Sequence, residues 1–369
     1  MKSALVVVGK ALRHNKPFLN YIYSTIIQHI DIPDQVVYID KNDKNLFFIL
    51  EETISHADAI IVVTLDDSFN LINKVLATLG EEVLELKNGM LLPAKTALIQ
   101  ENSYLLERDT KRINVLKVNE TDTLPKILID NTSEVQLFSV IDSDEESLKI
   151  LLEPLAQNYE IKITPTTLIK GWVIVEAISN KYGNIENFFK ATLSLLPKKV
   201  IFHTNIFSFI AEHLEKAEKT ISFAESCTGG LIASMFTKQS GISSVFNGSV
   251  VSYANEVKES WLGVSHETLE RFGAVSEECV VEMLEGIMDA SLSDFALAIS
   301  GIAGPNGGSE EKPVGTVFVG ARSKEGIMRI EKLSLKGDRE YIQEQSMYHA
   351  LKLLLHVGEN IFLKNSKIP

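Results

Sequence analysis

Cysteine is scarce in this chain, whose 369 residues include only Cys227 and Cys279. The two lie far apart, with no CxxC pair and no cluster of cysteine and histidine at metal-ligand spacing. These features exclude a disulfide framework and argue against a structural zinc site, and we expect no bound metal. Reduced thiols are typical of the cytosol, so we expect a cytoplasmic protein.

Long apolar runs are also missing. No stretch approaches the ~20 apolar residues that a membrane span needs. The run from Ala4 to Val8 is too short for the hydrophobic part of a signal peptide, and no cleavage-site pattern follows it. We therefore expect neither secretion nor membrane insertion and interpret this run as a first buried strand.

Positive charge is in deficit, because 36 Lys and Arg residues face 49 Asp and Glu residues, giving a net charge of −13. Nonspecific nucleic-acid binders hold the phosphate backbone mainly with clustered Lys and Arg. The acidic balance therefore argues against direct nucleic-acid binding. A small anionic ligand is still compatible with it, since one local pocket is enough.

The chain is long enough for two or three domains. Short β-branched runs alternate with helical patterns over residues 4–63, which is typical of a parallel sheet covered by helices. The sequence predicts an α/β protein in three parts. These are an N-terminal parallel-sheet domain (1–140), a small α+β linking domain (141–198) and a C-terminal α/β/α domain (199–369).

The segment Ala224–Gly230 is rich in small and hydroxyl residues, and it lies where a strand should end and a helix begin. A helix start offers unpaired backbone N–H groups, and two glycines would let an anion approach them closely. One interpretation of this pattern is a ligand contact at Ser226 and Thr228. The alternative is that one of these hydroxyls only caps the helix.

A second segment contains Ser243, Tyr253 and Lys258. A serine–lysine dyad needs a neutral lysine, so either desolvation or a nearby positive potential must lower the pKa of its amine. If Asn255 caps a helix, Lys258 lies in the first turn, where the helix dipole disfavours the protonated form. The alternative is an exposed lysine on an amphipathic helix, as most lysines are.

A third segment, Ser300–Gly315, is a glycine-rich loop after a buried strand. Such a loop can form a backbone anion site and supply donors to an oxyanion, although it could also be a plain surface loop. Farther on, Arg339 begins the last helix and could hold a phosphate with two parallel hydrogen bonds. These parts indicate serine chemistry without a metal.

Taken together, Ala224–Gly230, Ser300–Pro305 and Lys312–Val317 resemble the CinA C-terminal domain, whose family includes the nicotinamide-nucleotide amidohydrolases called PncC. The resemblance covers residues from about 205 to 350. It implies that nicotinamide mononucleotide is deamidated to nicotinate mononucleotide and ammonia without a cofactor.

The family resemblance also implies roles for individual residues. Ser243 is expected to be the nucleophile and Lys258 its base, with Tyr253 assisting in the same pocket. Ser226, Thr228, Ser300 and Arg339 are expected to bind substrate, and Ser226 is the alternative nucleophile. The family further implies a homodimer or larger assembly.

Upstream, the order of segments resembles full-length CinA proteins, whose first domain is similar to molybdopterin-binding folds. This chain departs from that pattern, because its glycine-rich ligand loop is replaced by the run Val62–Asp67. Asp66 and Asp67 are either remnants of the family's paired aspartates or the start of a helix. We therefore expect a structural or assembly role for the first domain, without the ADP-ribose pyrophosphatase activity of some members.

Two other functions compete with the amidohydrolase. One is a nucleotide-binding or assembly protein that keeps the fold without turnover. The other is an accessory protein of DNA uptake or repair, which the acidic composition disfavours.

Overall fold

The computed structural model describes residues 2–30, 32–120, 122–129, 135–179, 182–203 and 205–364. Contacts divide the chain into two compact units, Met1–Ser133 and Glu134–Pro369. The linking and C-terminal domains that the sequence predicts thus fall within one unit. Within the described residues, the structure has no helix of the length and apolar content needed to cross a membrane.

The first unit is built on a six-stranded sheet in the order β2-β1-β3-β8-β7-β6. Strands β1, β2, β3 and β8 are parallel, whereas β6 and β7 are antiparallel additions. The elements are β1 (Ser3–Val8), α1 (Lys10–His14), α2 (Lys16–Ile30), β2 (Gln35–Ile39), α3 (Leu46–His56), β3 (Ala59–Leu65), α4 (Asp66–Leu79), β4 (Leu84–Lys87), β5 (Met90–Pro93), β6 (Thr96–Gln100), β7 (Ser103–Arg108) and β8 (Lys111–Val118).

Helices cover both faces of this sheet, and strands β1 and β3 consist almost entirely of buried apolar residues. Every residue of β1 is buried, as expected for a strand between two helical layers. In α2 the buried residues are Phe18, Ile22, Ile26 and Ile30, which recur every four positions and form one apolar face. The parallel α/β fold expected for this region is confirmed.

The second unit begins with a four-stranded antiparallel sheet in the order β10-β11-β9-β12. Helices α5 and α6 pack on one face of it around Phe138, Phe188 and Phe189. The elements are β9 (Val135–Ile141), α5 (Glu145–Asn158), β10 (Ile161–Ile169), β11 (Trp172–Ser179), α6 (Ile185–Leu195) and β12 (Val200–Phe202). This is the predicted α+β module, and β12 belongs to its sheet.

A five-stranded mixed sheet follows in the order β14-β13-β15-β16-β17. Strands β13, β14 and β15 are parallel, and β16 and β17 continue the sheet antiparallel. The elements are α7 (Ile206–Lys216), β13 (Ile221–Glu225), α8 (Leu231–Thr237), a 3₁₀ helix (Ile242–Ser244), β14 (Phe246–Val251), α9 (Asn255–Leu262), α10 (His266–Arg271), α11 (Glu277–Ser291), β15 (Phe295–Gly301), β16 (Thr316–Ser323), β17 (Met328–Ser334), α12 (Arg339–Val357) and α13 (Glu359–Phe362).

The helices lie on opposite faces of this sheet. One core joins the sheet to α7, α8 and α12, and the other joins it to α9 and α11. The connection from β13 to β14 therefore runs over one face, and the connection from β14 to β15 returns over the other. The carboxyl ends of these three strands meet at one edge, where α/β proteins commonly bind ligands.

The antiparallel sheet shares the first of these cores. Ile141, Ile169 and Trp172 belong to the cluster that contains the leucines of α12. The Trp172 ring packs edge-on against Tyr348 of α12, with centroids 6.1 Å apart. This shared core explains why the two predicted domains form one compact unit.

Candidate active site

The turn after β13 is closed by Glu225, the last residue of that strand. Its fully buried carboxylate accepts hydrogen bonds from the backbone N–H groups of Gly230, Ile232 and Ala233, at 3.1, 3.1 and 3.0 Å. The residue preceding α8 is Gly230, without a side-chain cap. The expectation of an anion at this helix start is therefore wrong, because a carboxylate of the protein takes up its N–H groups.

Ser226 follows Glu225 and reaches the surface only through 8% of its area. Its N–H donates to the Ile299 carbonyl of β15 at 2.9 Å, which ties the turn to the neighbouring strand. On the other side, Gln343 of α12 donates its Nε2 to the Cys227 carbonyl at 2.6 Å. Neither Ser226 nor Thr228 caps α8. The Ser226 hydroxyl is therefore available to act as a nucleophile.

Lys258 lies on α9 and is 1% exposed. Its Nζ lies 3.1 Å from Ser226 Oγ and donates to the Ser252 carbonyl at 2.6 Å. Burial lowers the pKa of the Lys258 amine below its ordinary value of 10.5, because a low-dielectric site disfavours the charged form. An exposed lysine on an amphipathic helix is thereby ruled out.

Of the two causes considered for this pKa shift, desolvation and the helix dipole, desolvation is the larger. The helix begins at Asn255, Ala254 precedes it, and no side-chain cap is formed. Asn255 is therefore not the cap. Lys258 still lies in the first turn, but loss of hydration is the largest influence on its pKa.

Ser243 does not meet Lys258. It lies in the exposed 3₁₀ helix before the amino end of β14, whereas Lys258 follows the carboxyl end of that strand. The six residues of β14 put about 20 Å between the two ends at about 3.3 Å per residue. The expected Ser243–Lys258 pair is wrong, and the structure pairs Lys258 with the alternative serine, Ser226.

A cavity of about 230 Å³ opens above this pair. Its wall combines the turn after β13, the start of α9, the glycine-rich loop and the start of α12. It is lined by Ser226, Cys227, Tyr253, Asn255, Lys258, Ala274, Val275, Ser300, Gly301, Ile302, Ala303, Gly304, Asn306, Gly307 and Arg339. Five of the seven residues expected at the site thus line one cavity, whereas Ser243 and Thr228 do not.

Arg339 joins two parts of the cavity wall. Its guanidinium donates to the Gly304 carbonyl at 2.7 Å and to the Tyr253 hydroxyl at 2.9 Å. Gly304 has φ +82°, a left-handed conformation that favours glycine. Arg339 therefore fixes the glycine-rich loop while its charge faces the cavity.

The remaining candidates, Ser300 and Thr228, are both buried. Ser300 is buried and donates its hydroxyl to the Ala274 carbonyl at 2.6 Å, so it shapes the wall. The Thr228 hydroxyl is buried with no hydrogen-bond partner among the described residues. Burial raises the pKa of the Cys227 thiol to about 12, which argues against a reactive thiolate beside Ser226.

The first unit has its own cleft at the carboxyl ends of β3 and β8, with a volume of about 560 Å³. Asp66 and Asp67 line it and begin α4. Asp66 pairs with Lys117 at 3.1 Å, and Asp67 pairs with Lys41. The two aspartates thus start a helix, as one of the two interpretations held, and each has a lysine partner.

Sequence reasoning missed several residues of the site, among them Glu225, Gln343, Asn255 as a wall residue, and Ala274 and Val275. Glu225 lies inside the motif that drew attention to this segment, but its sequence position does not show which donors its carboxylate accepts. Gln343 lies far along the chain, on a helix whose exposed and buried residues do not form a clear stripe.

Residues 203–357 match the family model described as the CinA C-terminal domain. A CinA-like protein of Pseudothermotoga lettingae is 33% identical over 294 residues, which cover 73% of this chain and 71% of that protein. A CinA-like protein of Fervidobacterium nodosum is 54% identical over 145 residues, which cover 39% of this chain and 35% of that protein. The chain thus matches about a third of the second relative's length.

A solved structure is also similar to this chain. It is the competence/damage inducible protein CihA from Agrobacterium tumefaciens, with 37% sequence identity and a TM-score of 0.41. The similarity covers 42% of this chain and 98% of the solved one.

Proposed function

Because the chain belongs to the CinA family, we propose that its C-terminal part is an amidohydrolase that converts nicotinamide mononucleotide to nicotinate mononucleotide and ammonia. The observation that supports this most is the buried Lys258 amine, 3.1 Å from the Ser226 hydroxyl at the floor of a cavity. Serine paired with a neutral lysine is an established arrangement for acyl transfer.

In the first half of the reaction, Ser226 is the nucleophile and Lys258 transfers the proton. Ser226 Oγ attacks the carboxamide carbon while its proton passes to the Lys258 amine. The tetrahedral intermediate then collapses, the C–N bond breaks, and Lys258 returns the proton to the departing nitrogen, which leaves as ammonia. The product of this half is an ester between Ser226 and the nicotinoyl group.

Water completes the reaction. It attacks the ester carbon and gives a proton to Lys258, which passes it to Ser226 Oγ as the ester bond breaks. The hydrogen bond from Lys258 to the Ser252 carbonyl holds the amine in place through both halves. Cys227, Ala303 and Gly304 line the same cavity, so their peptide N–H groups are the candidates for stabilising the oxyanion.

The substrate phosphate needs a cation, since the N–H groups at the start of α8 are already taken by Glu225. Arg339 lines the cavity, and a guanidinium suits bidentate phosphate contact. Tyr253, which is 61% exposed and bonded to Arg339, can pack against the pyridine or ribose. We assign substrate binding to these two residues.

The test is ammonia release from nicotinamide mononucleotide by the purified full chain, run with and without a chelator. We expect stoichiometric nicotinate mononucleotide and, after acid quenching, a peptide containing Ser226 that carries the acyl group by mass spectrometry. Saturable binding of the nucleotide without any product would contradict the proposal and support a binding or assembly protein instead.

A further inference from the structure

Glu225 holds the most unusual position of any carboxylate near the site. It is fully buried, yet no lysine or arginine among the described residues lies within ion-pair distance of it. Four donors converge on its two oxygens instead. They are the N–H groups of Gly230, Ile232 and Ala233, and the Ser249 hydroxyl at 3.3 Å.

Ser226 lies in the turn between Glu225 and Gly230. The hydrogen bonds of the Glu225 side chain join the two ends of this turn. Glu225 is the residue immediately before Ser226, and its side chain binds Gly230 at the far end of the same turn. The conformation of residues 226–229 is thereby fixed at both ends. A helix start also stabilises a carboxylate electrostatically, so the contact is stronger than a bond between neutral groups.

The main chain of Glu225 contributes to the other half of the pair. Its carbonyl accepts the Ser252 N–H at 2.8 Å, and the Ser252 carbonyl in turn accepts from Lys258 Nζ at 2.6 Å. Glu225 thus connects Ser226, which follows it in the chain, to Lys258 through the backbone of Ser252. The separation of Ser226 and Lys258 matters most for proton transfer. It does not line the cavity itself.

We propose that Glu225 is the positioning residue of this site, whose carboxylate holds the turn of residues 226–230 so that Ser226 Oγ faces Lys258. This rests on the Ser226 mechanism proposed above. Glu225 takes no part in bond making and acts through the geometry of Ser226. Misplacement of a reacting group by about 1 Å can cost about 10²-fold in rate.

The variant Glu225→Gln tests this role at nearly constant size. A glutamine has one accepting oxygen, and its NH₂ group would face an N–H donor that the carboxylate now binds. We expect kcat to fall about 100-fold while KM changes less than about threefold, because the reacting geometry is altered and the cavity wall is not. Labelling of Ser226 by a fluorophosphonate should slow by a similar factor.

Glu282→Gln is the matched control. The Glu282 carboxylate accepts from the Ser265 N–H, the Ser265 hydroxyl and the Thr268 hydroxyl at the start of α10, and it does not line the cavity. The Glu282→Gln variant should match the wild type in kcat and in labelling rate. Because Glu282 is only partly buried, its loss of thermal stability should not exceed that of Glu225→Gln.

Two results would overturn the role of Glu225. One is a kcat within about threefold of wild type in folded Glu225→Gln protein, because misplacement of Ser226 should lower kcat about 100-fold. The other applies if Glu225→Gln does not fold. Ser249→Ala, which removes one donor, should then lower kcat severalfold, and an unchanged kcat refutes the role.

Labelling separates this inference from the proposed function. The fluorophosphonate reacts with an activated serine whatever the natural substrate is. A wild-type protein that labels at Ser226 without deamidating the nucleotide would contradict the substrate assignment, and the labelling rates of the variants would still measure the role of Glu225. A wild-type protein that does not label at Ser226 overturns both.

Discussion

Both units have a cleft at the carboxyl ends of parallel strands, but the lysines at these two edges differ in their surroundings. In the first unit, Lys41 and Lys117 pair with Asp67 and Asp66, and all four side chains are solvent accessible. In the second unit, Lys258 is 1% exposed and forms no ion pair with any described residue. The lysines at the first edge are thus paired and solvent accessible, whereas the lysine at the second edge is buried and, among the described residues, unpaired.

The difference shows what makes a lysine available as a base. In the first unit both of these lysines lie beside a carboxylate, and the hydrogen bond from Lys41 lowers the pKa of Asp67. A buried amine without a carboxylate partner loses hydration without gaining a compensating charge, so its pKa falls. A cleft with charged residues is therefore weaker evidence for catalysis than one buried, unpaired lysine beside a hydroxyl.

The largest effect that would test this comparison is expected at Ser226. Ser226→Ala removes the only proposed nucleophile, so ammonia release should fall by at least about 10³-fold, as is usual when a nucleophile is deleted. Ser243→Ala serves as the control, because Ser243 is exposed at the opposite end of β14, and it should keep wild-type activity. The reverse pattern would restore Ser243 as nucleophile and contradict the importance of the Ser226–Lys258 contact.

The next effect concerns the protonation state of Lys258. The neutral amine is the active form, so kcat/KM should rise with pH and level off above a pKa that lies below 10.5. Lys258→Arg should lose at least about 10²-fold in rate at every pH, because a guanidinium stays protonated. A wild-type rate that is flat or falls as pH rises would argue against a lysine base.

Stability should follow the same pKa shift. The folded state holds the Lys258 proton more weakly than the unfolded state, so the unfolded chain binds more protons between the folded pKa and 10.5. The contribution of Lys258 to the free energy of unfolding therefore rises with pH through that window. Lys258→Met should lack this contribution, which denaturant titrations at several pH values can measure.

A smaller effect is expected at Arg339. Arg339→Gln removes a charge-assisted contact worth about 1.5–3 kcal/mol, so KM for nicotinamide mononucleotide should rise about tenfold or more. The riboside lacks the phosphate, and its KM should change little. Arg322→Gln is the control, because Arg322 pairs with Glu285 outside the cavity. An equal loss with both substrates would assign Arg339 to loop positioning instead of phosphate binding.

The sequence predicts most of the fold because burial imposes periodicity. The apolar runs of β1 and β3 and the four-residue repeat of α2 follow directly from a sheet with helices on both faces. The shared core of the second unit was not predictable, since Trp172 meets Tyr348 across a long sequence separation. The sequence therefore predicts separate domains for residues 141–198 and 199–369, whereas in the structure they share a core.

The site is predictable in its segments and less so in its pairings. All three segments flagged from the sequence contribute residues to the cavity, because they end neighbouring strands or begin the helices beside them. Which serine meets Lys258 depends on strand direction. Because β14 is parallel to β13, Lys258 is brought to the end where Ser226 lies and away from Ser243.

The smallest effect is expected in the first unit, and it tests the other side of the comparison. Asp66→Asn together with Asp67→Asn removes two solvent-accessible ion pairs, and each such pair is worth about 0–1 kcal/mol. We expect ammonia release to stay within about twofold of wild type, since these aspartates belong to the first unit and are not among the residues that line the second unit's cavity. Thermal unfolding should shift only slightly. If deamidation instead falls as far as it does in Arg339→Gln, the first cleft contributes to turnover, and the paired lysines there do more than balance charge.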